Sequence, residues 1–198
     1  MQVLRSIKRY LTIYRHNFFA TPLKMNIGAG KFGFENRWFL TDISTLNILR
    51  RDSWRKNMLF AKADNIMAEH VWEHLSYEQG SLGAANCYAF LKKGGSLRLA
   101  VPDGFHPDKE YIEYVKPGGH GLGADDHKIL YNYQTMKKML EDVGFKVNVL
   151  EYWDENGQFH FVDWTDEGGH ITRSRRYDKR NQSGTLNYTS LIVDAIKP

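Results

Sequence analysis

The 198 residues, 42% hydrophobic and 25% charged, suffice for one globular core and exclude a disordered or collagen-like chain. A single cysteine, Cys87, excludes an internal disulfide and a cysteine-based zinc site, fits a reducing, cytoplasmic setting, and no apolar run nears the ~20 residues of a membrane span. The net charge of +4 is concentrated in the leader: no acid precedes Glu35, whereas residues 1–24 hold Arg5, Lys8, Arg9, Arg15 and Lys24.

Leu4, Ile7, Leu11, Tyr14 and Phe18 recur at spacings of three and four, which predicts an amphipathic basic helix within residues 1–22. Such a helix docks on the core or rests on a polyanion or membrane surface. Thr21-Pro22 stops it. Strands are expected at Leu23–Ile27, Phe39–Ile43 and Asn65–His70. Ser76-Tyr77-Glu78-Gln79 has the form of a capping box and opens a helix running to about Lys92. Gly94-Gly95 precedes a strand over Ser96–Val101. Residues 103–131 read as an irregular insertion rich in Gly, Asp and His, with His120 and His127 as candidates for a base on a substrate lid. Met136, Met139, Leu140 and Val143 mark another helix, ended by Gly144. Strands close the chain at Phe145–Leu150 and Tyr188–Ile196, with a polar insertion at 154–184 between them. A second basic run, Arg173 to Arg180, lies in that insertion and reads as a solvated face or a polyanion patch.

Alternating strands and helices predict an α/β, Rossmann-like three-layer sandwich with a mostly parallel, seven-strand-like sheet over residues 23–198. In such sheets ligands bind beyond the carboxyl ends of the strands. The residues to inspect are therefore Gly28–Gly30, Asp42, Glu69-His70 and Pro102-Asp103. Gly28-Ala29-Gly30-Lys31-Phe32-Gly33 spells G-x-G-x-x-G, but Asp42 follows too soon for a full helix between them. A ligand with a ribose and no pyrophosphate fits that spacing better than a dinucleotide. His70-Val71-Trp72-Glu73-His74 also spells H-x-x-E-H, a zinc-peptidase signature. That signature needs a helix, whereas a strand is expected to arrive at His70, so no metal site is expected.

Four segments resemble the class I S-adenosylmethionine (SAM)-dependent methyltransferases, in particular their type 11-like branch. Lys24-Met25-Asn26-Ile27-Gly28-Ala29-Gly30 is similar to the first motif, and Asp42-Ile43 to the ribose-binding acid. Glu69-His70-Val71-Trp72-Glu73-His74-Leu75 and the Leu91-Lys92-Lys93-Gly94-Gly95 to Val101-Pro102-Asp103 stretch resemble that branch's later motifs. Asn26 stands where relatives usually carry an acid, and Phe32 where they carry a third glycine. The resemblance implies SAM as cofactor, held by Asn26, Gly28, Ala29, Gly30, Asp42, Ile43, Glu69 and His70, with Asp52, Trp54 and Leu59 as adenine candidates. It implies methyl transfer to an oxygen or nitrogen of a small-molecule or carbohydrate acceptor, with His70, His74, His120 or His127 as base and no specific nucleic acid partner. The alternative is a degenerate SAM-binding or non-catalytic interaction module.

Overall fold

The computed structural model describes residues 22–30, 38–181 and 184–198. The expected N-terminal helix and the glycine-loop residues Lys31, Phe32 and Gly33 lie outside them. Seven strands form one sheet: β1 Lys24–Ile27, β2 Trp38–Leu40, β3 Ala63–Glu69, β4 Leu91–Pro102, β5 Lys146–Trp153, β6 Phe159–Phe161 and β7 Ser190–Ile196. Their order is β2-β1-β3-β4-β7-β5-β6. Among the described residues four α-helices accompany them: α1 Arg51–Met58, α2 Tyr77–Phe90, α3 Lys109–Val115 and α4 Tyr133–Val143.

The sheet is mixed, which corrects the expectation of a mostly parallel one. β1 pairs in parallel with β2 and β3, and β3 with β4. β7 then inserts antiparallel between β4 and β5, and β6 folds back antiparallel on β5. The β5–β6 turn is a side-chain-built hairpin. Asp154 Oδ1 accepts the amides of Asn156 (2.9 Å) and Gln158 (2.8 Å). The polar insertion at 154–184 therefore begins as a sheet strand.

Alternation along β4 decides which layer each side chain meets. Leu97, Leu99 and Val101 join the main core with Met25, Ile66 and Val193, covered by Trp54 of α1, Cys87 of α2 and Met136, Met139 and Leu140 of α4. Ala100 faces the other way, into a smaller cluster with Leu150, Ile192, Trp164 and Ile171. Among the described residues, that second face is covered by the insertion rather than by a helical layer. Arg98, on the same face, is 3% exposed and ties the insertion down. Its Nε and Nη2 donate to the two Asp194 oxygens at 2.8 Å, and its Nη1 donates to the carbonyls of Thr165 and Gly169 at 2.7 Å. Trp164 stacks on the guanidinium.

The capping box at Ser76 is present, with Ser76 Oγ accepting from Gln79 N and Gln79 Oε1 accepting from Ser76 N. Residues 103–131 are more ordered than expected. Asp108 caps α3, and Tyr111 of α3 accepts from Asp103 N and donates to Thr189 O, both at 3.0 Å. These bonds fix the insertion to the carboxyl edge of the sheet. No helix among the described residues is long and apolar enough to cross a membrane.

Candidate active site

β1 and β3 run parallel and in register, Ile27 beside Ala68. Gly28–Gly30 and Glu69-His70 therefore leave the sheet side by side. Gly28 has φ +69° and Gly30 φ +53°, a region that side-chain-bearing residues rarely occupy. A Cβ on Gly28 would also lie 2.4 Å from Val71 Cγ2. Ala29 N donates to Thr41 O at 2.9 Å, and Thr41 N to Asn26 O at 2.8 Å, so the turn is fastened to the end of β2.

A cleft of about 470 Å³ opens at this edge, within the range of small-molecule sites. Asn26, Gly28, Ala29, Gly30 and Trp38 line one side. Met67, Glu69, His70, Glu73 and His74 form its middle, and His127, His170, Thr172 and Arg173 come from the two insertions.

His70 takes a left-handed backbone at φ +54°, uncommon for a non-glycine residue. Its amide donates to Ala100 O at 2.8 Å. Its ring is held from both sides, with Nε2 3.1 Å from Ser190 Oγ and Nδ1 3.0 Å from Glu73 Oε1. Glu73 and His74 belong to one turn of 3₁₀ helix, Trp72–His74. His70 and His74 thus do not share a helix face, as the zinc-peptidase pattern would require. Glu73 is 1% exposed. Burial pushes its carboxyl up, but the imidazoles of His70 and His74 beside it hold it below the ordinary range. The Glu73 carbonyl accepts Lys128 N at 2.7 Å, which brings His127 to the cleft. His127 Nδ1 lies 2.6 Å from Val115 O. The His74 ring meets the His127 ring edge-on, 4.8 Å between centroids, and its Nδ1 lies 3.4 Å from Asp126 Oδ2.

Two carboxylates latch the 154–184 insertion over the cleft. Glu69 accepts Arg173 N at 2.7 Å and Thr172 N at 3.2 Å. Glu151 accepts Arg175 N at 2.7 Å and Trp164 Nε1 at 2.9 Å. The Glu69 carboxylate expected at the cofactor is thus engaged by backbone of the wall.

Of the residues expected from sequence, Asn26, Gly28, Ala29, Gly30, Glu69, His70, His74 and His127 line the cleft. The others lie off its lining. Asp42 stands just beyond β2, where its Oδ1 accepts Ser44 N (2.9 Å) and Ser44 Oγ (2.6 Å) in a tight turn. Ile43 is 76% exposed, and Asp52 pairs with Arg50 at 2.8 Å on the surface. Leu59 is half-exposed at the end of α1, while Trp54 is wholly buried in the core. His120 is exposed with its ring against Tyr114, because Gly119 and Gly121 hydrogen-bond back to the end of α3 and turn that stretch away. Trp38, Met67, His170, Thr172 and Arg173 were not anticipated. Only Arg173 carried a signal, as the first member of the basic run. The rest of that run is largely paired: Arg180 with Asp178 at 2.6 Å, and Arg176 with Asp163 at 3.6 Å.

No family model and no curated protein sequence matches this chain. Solved structures do. A chain from the complex containing the Haloferax volcanii Trm112 methyltransferase activator aligns with a TM-score of 0.51 at 10% identity, over 96% of this chain and 91% of that one. PigF with SAH aligns with a TM-score of 0.52 at 9% identity, over 94% of this chain and 59% of that one. A SAM-dependent methyltransferase from Archaeoglobus fulgidus gives 17% identity over 94% and 92% of the two chains, with a TM-score of 0.49. At these identities the two alignments with TM-scores above 0.5 establish the fold alone, an α/β Rossmann-like, methyltransferase-like one.

Proposed function

We propose that this chain is a SAM-dependent methyltransferase of the type 11-like branch, acting on an oxygen or nitrogen of a small-molecule or carbohydrate acceptor. The observation that carries the reading is the cleft at the carboxyl ends of β1 and β3. Its Gly28–Gly30 turn has the left-handed backbone that lets main chain approach a ligand, and a group of histidines faces it from the other side. The adenosyl moiety of SAM would lie along Asn26, Gly28–Gly30 and the end of β2, near Asp42. The methyl group would then face His70, Glu73, His74 and His127.

The sulfonium is already an activated leaving group, so holding acceptor and methyl in line supplies much of the rate. A hydroxyl acceptor must also lose a proton. His70 is fastened between Glu73 and Ser190 and acts as a positioning residue. In His127, Nδ1 meets a carbonyl oxygen, so Nδ1 carries the proton and Nε2 the lone pair. In His74, Nδ1 lies 3.4 Å from Asp126 Oδ2, a contact that favours the same tautomer. His74 and His127 are therefore the candidate bases, and His120 is not.

The reading of a non-catalytic module rests on Asn26 in the first motif and on the use of Asp42 Oδ1 in a turn, with the basic segment 1–22 as a surface for a partner, polyanion or membrane. A calorimetric titration with SAM and S-adenosylhomocysteine (SAH), followed by transfer of a labelled methyl to a panel of sugars and amines, separates the two. Micromolar binding with transfer supports the enzyme. Silence at millimolar cofactor supports the module.

A further inference from the structure

We propose that Glu73, His74 and His127 form a binding site for a divalent transition-metal cation of the zinc type. One ligand atom from each of the three lies within 4.8 Å of the other two. The donor set, two imidazoles and one carboxylate, suits borderline cations such as Zn²⁺ rather than Mg²⁺ or Ca²⁺. Three protein ligands leave a further position open, the arrangement of reactive zinc sites.

Three independent features of the geometry favour this use. First, His127 is held in the ligating tautomer, and His74 has a carboxylate beside the same ring nitrogen. Val115 O holds Nδ1–H of His127 at 2.6 Å, and Asp126 Oδ2 faces Nδ1 of His74 at 3.4 Å. Carbonyl and carboxylate partners on the second ring nitrogen are what metal-bound histidines usually have. Second, Glu73 is 1% exposed, and neither of its carboxylate oxygens has a hydrogen-bonding donor among the described residues. The nearest group, His70 Nδ1, stands 3.0 Å from Oε1, and Oε2 has no hydrogen-bond partner among the described residues. A buried carboxylate in that state lacks the partners such groups normally have, and a cation supplies them. Third, the two halves of the site are joined by backbone, since Glu73 O accepts Lys128 N at 2.7 Å.

The spacing calls for a modest contraction. Ligands on a tetrahedral cation at ~2.0–2.1 Å stand about 3.4 Å apart, so the three groups must close by roughly 1 Å. His74, a third exposed, has room to turn. His70, although it completes the H-x-x-E-H pattern, is committed to Glu73 and Ser190, and the distant His127 takes its place as third ligand. If the methyltransferase reading holds, the cation serves the acceptor. With the cation bound, His74 and His127 donate their lone pairs to it and no longer act as bases; a hydroxyl bound to the cation is more acidic and gives its proton to water. Its oxygen then bonds to the methyl carbon as the carbon–sulfur bond breaks, the sulfur keeping the electron pair. The metal site itself does not depend on that step.

The experiment uses the full chain, stripped with chelator and titrated with Co²⁺ and then Zn²⁺ in the absence of SAM, followed by the visible spectrum and by calorimetry. One equivalent of Co²⁺ should bind at micromolar or lower concentration and be displaced by Zn²⁺. His127→Gln, whose amide can still donate to Val115 O, and Glu73→Gln should each weaken binding at least about 100-fold. His160→Ala should leave it within twofold. Far-UV circular dichroism checks that each variant is folded, and if Glu73→Gln is not, His127→Gln decides. Absence of binding up to millimolar Co²⁺ and Zn²⁺ overturns the proposal, as does tight binding that survives both substitutions. SAM binding to the stripped protein is measured separately: SAM binding without metal binding sinks this inference alone, and metal binding without SAM binding leaves it standing while removing the methyltransferase reading.

Discussion

Replacing Gly28 by alanine tests whether the first turn is built for close approach. Two costs follow from its geometry. A left-handed φ of +69° costs an alanine about 1–2 kcal/mol. The new Cβ would stand 2.4 Å from Val71 Cγ2, more than 1 Å inside ordinary contact, and overpacking of that kind costs ~1–3 kcal/mol. Val71 is β-branched and stiff about χ1, so it cannot swing aside freely. Gly28→Ala should therefore lose about 2–5 kcal/mol in urea unfolding. Val71→Ala alone should lose roughly 1 kcal/mol, since the side chain is only partly buried. In the double variant the obstructing methyl is gone and Val71 Cβ, 3.7 Å away, makes an ordinary contact. Only the φ cost then remains, so the cycle should show a favourable coupling of about 1–3 kcal/mol. A coupling near zero would show that Val71 is not the obstacle. A Gly28→Ala variant as stable as the parent would refute the whole account of the turn.

Three further outcomes are expected. Arg98→Ala leaves the Asp194 carboxylate and two insertion carbonyls without their donor. It should cost about 3–5 kcal/mol and open residues 154–184 to limited proteolysis; an uncut segment would contradict the clamp. Burial pushes the Asp103 carboxyl up to about 6, so the folded state keeps its proton to higher pH than the unfolded chain, where carboxyls titrate near ~3.9. The contribution of Asp103 to stability should fall as pH rises from about 4 to about 6, by roughly 1.4 kcal/mol for each pH interval of one across that window. Urea midpoints of the parent and Asp103→Asn should diverge across the same window, and a constant gap between them would contradict the assignment. Asp42→Ala should weaken SAM binding ten-fold or more, by loss of charge-assisted hydrogen bonds worth about 1.5–3 kcal/mol each. A drop in stability with the dissociation constant unchanged would leave Asp42 as a turn cap only.

Local signals carried much of the fold. The Ser76 box, the Gly144 stop and the Gly28–Gly30 turn after β1 each depend on neighbours in sequence, and each was legible. What was missed depends on distant partners. Nothing in the apolar run Leu191–Val193 says that β7 enters antiparallel between β4 and β5, since a strand buried on both faces reads alike in either direction. The β5–β6 hairpin did carry a cue, Asp154-Glu155-Asn156-Gly157, which the polarity of the following residues obscured. Arg175 and Arg176 read as a basic patch because their neutralising partner, Asp163, lies a dozen residues upstream. At the site, the motif residues Glu69 to His74 were visible as a group. Their division of labour was not: Glu69 latches backbone, His70 is held by Ser190, and His127 arrives because its neighbour Lys128 donates its amide to Glu73 O.

Hydrogen exchange of the full chain with and without saturating SAH tests the central claim most directly, because it reports both binding and place. Slower exchange is expected in peptides covering residues 26–30 and 67–74, and in the latched wall at 170–173, with α4 unchanged. Protection confined to other regions, or none at millimolar SAH, would contradict a cofactor cleft at the ends of β1 and β3.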